Sequence, residues 1–338
     1  MVYAGAAPMH IAILSFNRPH YLRLVLNSLR MQICERDEIA LMQDGAVNPW
    51  SGQVKASQES IKECVDIFRS TIPWGAVIQS QHNLSIALNY ERAETHFFET
   101  LSRPHALFLE DDLVLSPHYL HATQALLELA QSEKRIAYVS AYGNMWASLV
   151  EQRRRHTELQ HMHENWGFAM TREAWWDERL FRKRYLELLD GHDYSQRDHH
   201  RIRDFYRTRG WSVSITSQDA ARWIASLELG KVRLTTFACH ARYIGETGEH
   251  FTPDLYRKSD FDKTLMVDTP FAAPAPPTSE QIETWLEIER ERFQGGAEAF
   301  YDSQGSTAPP VGHSVSQKSQ GKLRRGMRLI RRRLSPRQ

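Results

Sequence analysis

Four short apolar runs, separated by amphipathic stretches, govern what the first 115 residues can become. His10–Phe16 ends at Asn17-Arg18-Pro19 and Ile39–Gln43 ends at Asp44-Gly45; Ala76–Gln79 follows, and Ala106–Leu109 runs into Glu110-Asp111-Asp112. Short runs bounded by turn residues or charge read as buried strands. Between the first two, Tyr21, Leu22, Val25, Leu26 and Leu29 recur at helical spacing behind Pro19, whose missing N–H costs nothing in a first turn. Glu59–Phe68 and Ile86–Leu101 also read as helices. The order β-α-β-α-β-α-β predicts an α/β fold, a mostly parallel sheet with helices on both faces. Ligands of such sheets sit outside the carboxyl ends of the strands. Asn17, Arg18, Asp44 and the acidic triplet all fall there.

Three adjacent anions repel one another and raise each other's pKa. A cation relieves that cost, and hard oxygen ligands select Mg²⁺ or Mn²⁺. A solvated acidic turn is the plainer reading of the triplet alone. Asp44 either accepts from a nucleobase N–H or ribose hydroxyl, or simply forms its turn. No Gly-x-Gly-x-x-Gly follows the first strand and no Walker-type Gly-Lys-Ser/Thr occurs, which disfavours a nicotinamide enzyme and a glycine-rich phosphate loop. Phosphate neutralisation then falls to a metal and to basic side chains.

Beyond the triplet, Pro117–Ser132, Arg172–Leu189 and Gln218–Leu229 read as helices, and Ile136–Ala141, Trp166–Met170 and Val232–Ala238 as strands. Gln152–His163 reads as loop. Residues 1–268 form the main domain; Pro270, Pro274, Pro276 and Pro277 mark a linker over 269–278, followed by a lone charged helix over 279–294. Gly295–Gly321 is poor in apolar residues and reads as a disordered linker. The stretch 322–338 carries eight Lys or Arg and no acid against a net charge of +1, which leaves the rest of the chain at −7. Alternation of those cations with Leu323, Met327, Leu329, Ile330 and Leu334 suits a basic amphipathic helix on an anionic membrane surface. A solvated tail and nucleic-acid binding compete with that reading; a nucleic-acid partner is not expected. No apolar run reaches the roughly 20 residues that span a bilayer. The first residues lack the pattern of an export signal. Cys34, Cys64 and Cys239 are odd in number and lack metal-ligand spacing. The expected location is therefore cytoplasmic, with peripheral attachment to the inner face of the membrane through the tail.

The histidines His161, His163, His192, His199 and His200 lack the His-Glu-x-x-His spacing that puts two zinc ligands on one helix face, and a zinc site is not expected. His250 differs: Gly245 and Gly248 precede it in a loop able to close over a metal–diphosphate, or merely to cross the surface. Asp219 opens a helix behind Ser217, as a dipole-stabilising first-turn acid or as a general base with Ser217 as cap. Trp166-Gly167 and Trp175-Trp176 offer aromatic surface for stacking on a sugar, although aromatics at helical spacing more often build the core.

Taken together, these residues resemble a GT-A glycosyltransferase over roughly residues 9 to 260. Ile11–Pro19 with Leu26-Asn27-Ser28-Leu29 is similar to the opening strand and helix of the family 2 type, and Gln43-Asp44-Gly45 to its nucleotide-binding strand end. Glu110-Asp111-Asp112-Leu113 with Ser116-Pro117 resembles the Glu-Asp-Asp-Leu form of the DXD motif in N-acetylglucosaminyltransferase I, as do Asn165–Met170 and Glu173-Ala174-Trp175 its Gly-Trp strand and helix. Asp219, Trp223, Ile244-Gly245, Gly248, His250 and Thr252 resemble the closing segment of bacterial sugar-nucleotide transferases. Glu151–Arg209, where acceptor recognition would sit, matches poorly.

The resemblance implies a nucleotide-diphosphate sugar donor, a carbohydrate or lipid-linked acceptor, and Mn²⁺ or Mg²⁺. It implies Asp44 at the base, Asn17 and Arg18 near the diphosphate or base, and Asp111 at the ribose. Glu110, Trp166 and Gly167 would face the donor sugar, Asp112 the metal, with His250 as a further metal or phosphate contact. Asp219 would be the inverting base, although Gln218 and Ala220 replace the neighbours of the relatives' Asp-Asp-Trp pattern; Glu173 and Asp198 are reserves. The expected activity is metal-dependent, inverting transfer of a hexosyl or N-acetylhexosaminyl group in surface polysaccharide or glycolipid synthesis. A metal-dependent nucleotidyltransferase and a non-catalytic nucleotide-sugar binding module are the rivals.

Overall fold

The computed structural model describes residues 7–248, 251–269 and 271–294. Its strands are β1 (His10–Ser15), β2 (Glu38–Gln43), β3 (Ala76–Gln79), β4 (His105–Glu110), β5 (Leu113–Leu115), β6 (Ile136–Ser140), β7 (Leu159–His161), β8 (Gly167–Thr171), β9 (Val232–Thr236) and β10 (Ala241–Tyr243). The α-helices are α1 (Pro19–Arg30), α2 (Gln58–Thr71), α3 (Ser85–Thr95), α4 (Tyr119–Ser132), α5 (Leu149–Arg154), α6 (Arg172–Glu187), α7 (His199–Thr208), α8 (Gln218–Glu228), α9 (Pro253–Lys258) and α10 (Ser279–Gln294). Eight strands form one sheet in the order β3-β2-β1-β4-β8-β6-β9-β7, while β5 and β10 pair as a small antiparallel ribbon. Four of the seven neighbouring pairs in the large sheet are parallel, so the expected mostly parallel α/β fold is what forms.

The apolar runs explain the first half. Ile11, Ala12, Ile13, Ala106, Leu107, Phe108 and Leu109 are fully buried, as a strand covered on both faces requires. Leu22, Val25, Leu26 and Leu29 bury one stripe of α1, which starts with Pro19 in its first turn. Register fixes the site: Ser15 lies beside Gln43, and Leu14 beside Glu110. The strands β1, β2 and β4 therefore finish level, and their polar ends share one edge. Strand β8 runs against β4, with Gly167 opposite Leu109, so the chain enters β8 from that same edge.

Three parts differ from the sequence reading. Within Gln152–His163, expected as loop, Ser148 caps α5 by accepting from Glu151 N, and β7 pairs with β9 at the sheet edge. The ribbon of β5 and β10 is too short to leave a sequence pattern. Helix α10 is not a lone helix: Ile282, Leu286 and Phe293 are buried against the body, a stripe diluted by its many charges. The expectations for Gly295–Gly321 and for the basic tail 322–338 lie outside the described residues.

Candidate active site

The triplet is buried rather than solvated. Asp111 and Asp112 are each about 2% exposed. Arg18, delivered by the end of β1 just before α1, pairs with Asp111 Oδ1 and lies 2.7 Å from Asp112 Oδ2. Burial pushes the Asp112 carboxyl up to about 6, against the pull of Arg18. Glu110, the last residue of β4, is held well above the usual carboxylate range, by burial first and then by Asp112 and Asp219. Asp111 Oδ2 and Asp112 Oδ1 are buried without a hydrogen-bond partner among the described residues. Oxygen atoms of that kind, on a carboxylate pair, suit a hard divalent cation.

The ribbon brings a cover to the triplet. Ile244 N donates to the Asp112 carbonyl at 2.8 Å, directly after β10, and Thr247 N donates to Tyr21 Oη at 3.2 Å. A Cβ at Gly245 would overlap Asp112 Oδ2 and stand 2.6 Å from Tyr243 Cζ; one at Gly248 would stand 3.2 Å from Arg18 Nη1. The glycines let this loop lie directly on the ion pairs. His250 itself lies outside the described residues, although the loop leading to it is placed over Arg18 and Asp112.

Asp219 joins the site through a chain of polar contacts. Ser217 caps α8 by accepting from Ala220 N, as the sequence suggested, which leaves the Asp219 carboxylate to other work. Its Oδ1 accepts from Asn165 Nδ2 at 2.8 Å and from Gln218 Nε2 at 2.6 Å. Tyr90 Oη lies 3.2 Å from the Asn165 carbonyl and 3.0 Å from Glu110 Oε1. Asp219 is thus tied to the triplet.

Beneath it runs a buried ionic network that sequence reasoning missed. Arg222 Nε donates to Gln218 Oε1 at 2.7 Å, and Arg222 Nη1 lies 2.7 Å from Glu94 Oε1. Arg182 pairs with the other oxygen of Glu94, and Trp175 Nε1 donates to that oxygen at 3.1 Å. These groups come from α3, α6 and α8, and fix the start of α8. The i, i+4 spacing of Gln218 and Arg222 was the only local signal.

The remaining expected residues divide. Asn17 sits in the bend after β1, at the same edge. Asp44 is buried with both oxygens engaged: Oδ1 accepts from Gly45 N and Leu84 N, Oδ2 from Ser85 N and Asn83 Nδ2, all at 2.8–3.0 Å. Burial nevertheless pushes it up to about 6. Four accepted bonds fill a carboxylate, so Asp44 anchors the 83–85 loop, and a base contact would have to displace one of them. Trp166 stacks on Tyr243 at 4.2 Å between centroids and stands edge-to-face with Phe261. Gly167 is a packing glycine, since a Cβ would overlap Leu113 and stand 2.8 Å from Tyr119 Oη. The reserves are elsewhere: Glu173 is exposed and pairs with Lys134, and Asp198 caps α7 by accepting from Arg201 N. Trp175 is core, while Trp176 is half exposed.

No family model and no curated protein matches this chain. Among solved structures it is similar to the glycosyltransferase GlyE of Streptococcus pneumoniae TIGR4, at 13% identity over 55% of this chain and 39% of that one, with a TM-score of 0.32. Staphylococcus aureus TarS gives 10% identity over 85% of this chain and 40% of that one, with a TM-score of 0.37. Glucosyl-3-phosphoglycerate synthase from Mycobacterium tuberculosis, in complex with Mn²⁺, UDP and glucosyl-3-phosphoglycerate, gives 9% over 50% and 58%, with a TM-score of 0.31. The chain spans about two fifths of the first two proteins and under three fifths of the third. Likenesses of this size convey no chemistry.

Proposed function

We propose that the protein is a glycosyltransferase that moves a sugar from a nucleoside-diphosphate donor to a hydroxyl acceptor, with inversion at the anomeric carbon. The observation that carries this reading is the buried pair Asp111 and Asp112, clasped by Arg18 under a glycine loop and linked through Tyr90 and Asn165 to Asp219. A nucleotide diphosphate needs cations at its phosphates, and an acceptor hydroxyl needs a base on the far side of the sugar. Asp111, Asp112 and Arg18 would serve the first need, and Asp219, at the start of α8, the second.

Asp111 and Asp112 would hold Mn²⁺ or Mg²⁺ through their unpartnered oxygens. When bound, the ion supplies charge stabilisation to the leaving diphosphate. Arg18 offers a second cation beside it. The Asn165 and Gln218 amides set the plane of the Asp219 carboxylate, which takes the acceptor proton as the new glycosidic bond forms and the bond to diphosphate oxygen breaks. Glu110, whose carboxyl is pushed well above its ordinary range by burial, would hydrogen-bond a donor hydroxyl. Asp44 serves by holding the 83–85 loop beside the nucleotide. A lipid-linked acceptor would give the basic 322–338 stretch a purpose at an anionic membrane face. Among the described residues no helix is long and apolar enough to cross a membrane.

A thermal-shift screen of nucleotide sugars with and without Mn²⁺, followed by a transfer assay on Asp219→Asn, tests the proposal. A donor that stabilises the protein only with the ion is expected, with Asp219→Asn retaining that shift but losing transfer by about 10²-fold or more. Unchanged transfer in Asp219→Asn removes the base. The absence of any nucleotide-dependent shift removes the function.

A further inference from the structure

Just before Asn165 in the chain, two histidines meet a carboxylate in an arrangement with no role in the chemistry above. His161 ends β7 and His163 follows with Met162 between them, so in extended chain both rings leave on one side. Their ring centroids are 5.2 Å apart. Glu289 arrives from α10 and is 3% exposed. One ligand atom from each of the three lies within 4.8 Å of the other two.

The detail that points to an ion is His161 Nδ1. It is buried, has no hydrogen-bond partner among the described residues, and faces Glu289 Oε1 at 3.5 Å. That is long for a hydrogen bond. Two ligands on one tetrahedral ion, with bonds of about 2.0–2.1 Å, stand about 3.3–3.4 Å apart. The other oxygen of Glu289 accepts from Arg233 Nη2 at 2.8 Å, the kind of outer partner that orients a ligating carboxylate. Arg292 reaches Oε1 only at 3.4 Å and is a quarter exposed, so it can swing to solvent when a cation takes that oxygen. Desolvation, with Arg233 and Arg292 nearby, holds the His161 imidazole neutral, the form that ligates.

We propose that His161, His163 and Glu289 bind a zinc-class dication, with the fourth position filled by water. Two imidazoles with one carboxylate favour such an ion over Mg²⁺. The ion ties α10 to the strand from which the chain runs on into Asn165 and Trp166, and so braces the wall of the site that carries Asp219.

Cobalt(II) and zinc(II) added to the chelator-treated full chain test this. One equivalent of Co²⁺ is expected to develop the intense visible absorption of a four-coordinate ion, Zn²⁺ to displace it, and Zn²⁺ to raise the melting temperature. His163→Ala, at an exposed position where folding should survive, is expected to weaken binding at least tenfold and lose the absorption. Asp112→Asn is expected to retain both, which separates this ion from one at the triplet. The proposal is overturned if the wild type gives no four-coordinate band, if His163→Ala keeps it unchanged, or if Asp112→Asn abolishes it.

Discussion

Replacing Arg18 with Met probes the electrostatics of the site most directly. The substitution keeps much of the side-chain volume and removes the one cation that, among the described residues, pairs with both Asp111 and Asp112. Breaking a buried ion pair costs roughly 3–5 kcal/mol, because the abandoned carboxylates stay out of water. A quarter of the Arg18 side chain is exposed, which argues for the low end, about 3 kcal/mol. With an unfolding entropy of roughly 0.6 kcal/mol/K for a body of this size, the melting temperature should fall by about 5 °C at pH 8. The pH dependence carries the sign. Asp112 titrates near 6 when folded and near 3.8 when unfolded, so the folded state binds more protons between those values and stability declines as pH rises through them. Without Arg18 its folded pKa climbs further, and the deficit of Arg18→Met should shrink on going from pH 8 to pH 5. Mn²⁺ should recover more stability in the variant than in the wild type, because it supplies the missing charge. Differential scanning calorimetry at both pH values, with and without Mn²⁺, decides. A deficit equal at pH 5 and pH 8, or one that Mn²⁺ leaves untouched, refutes the reasoning.

Gly245→Ala should displace the covering loop, since its methyl overlaps Asp112 and Tyr243, and should cost about 1–3 kcal/mol with weaker nucleotide binding; an unchanged nucleotide affinity by calorimetry would show that the loop does not cover the site. Arg222→Met should destabilise by about 3 kcal/mol in urea unfolding, the low end for a broken buried pair because Glu94 keeps Arg182 and Trp175, and should lower kcat more than it raises donor KM through Gln218 and Asp219; a loss under 1 kcal/mol would mean the network is dispensable. Deleting residues 322–338 should abolish co-sedimentation with anionic vesicles, and equal pelleting of both forms would dismiss the membrane reading.

The strands β1, β2 and β4 were legible to within a residue because burial on both faces leaves an unmistakable apolar run, and the edge strand β3, though largely uncovered, still falls at Ala76–Gln79 as expected. The helices beginning at Pro19, Arg172 and Gln218 were equally plain, each with a proline or a capping residue before its apolar stripe. Strands of three residues such as β7 and β10 exist only by pairing with a distant partner, and nothing local encodes them. The same holds at the site. Asp111, Asp112 and Arg18 could be named from adjacency to strand ends, whereas the saturation of Asp44, the packing duty of Gly167 and the tie from Arg222 to Asp219 depend on groups far along the chain. The polar segment around His161 read as loop because its partners, Arg233 and Glu289, stand at positions distant in sequence.

The reversed direction of β8 has a consequence for how such a molecule diversifies. The residues proposed to hold the donor hang from the ends of β1, β2 and β4, while Asn165, at the entry to the reversed β8, hydrogen-bonds Asp219 at the start of α8. The strand acts as a seam between two workshops sharing one bench. Under the proposed function, loops beyond it are where a new acceptor would be admitted, with the groups proposed for the nucleotide left unaltered.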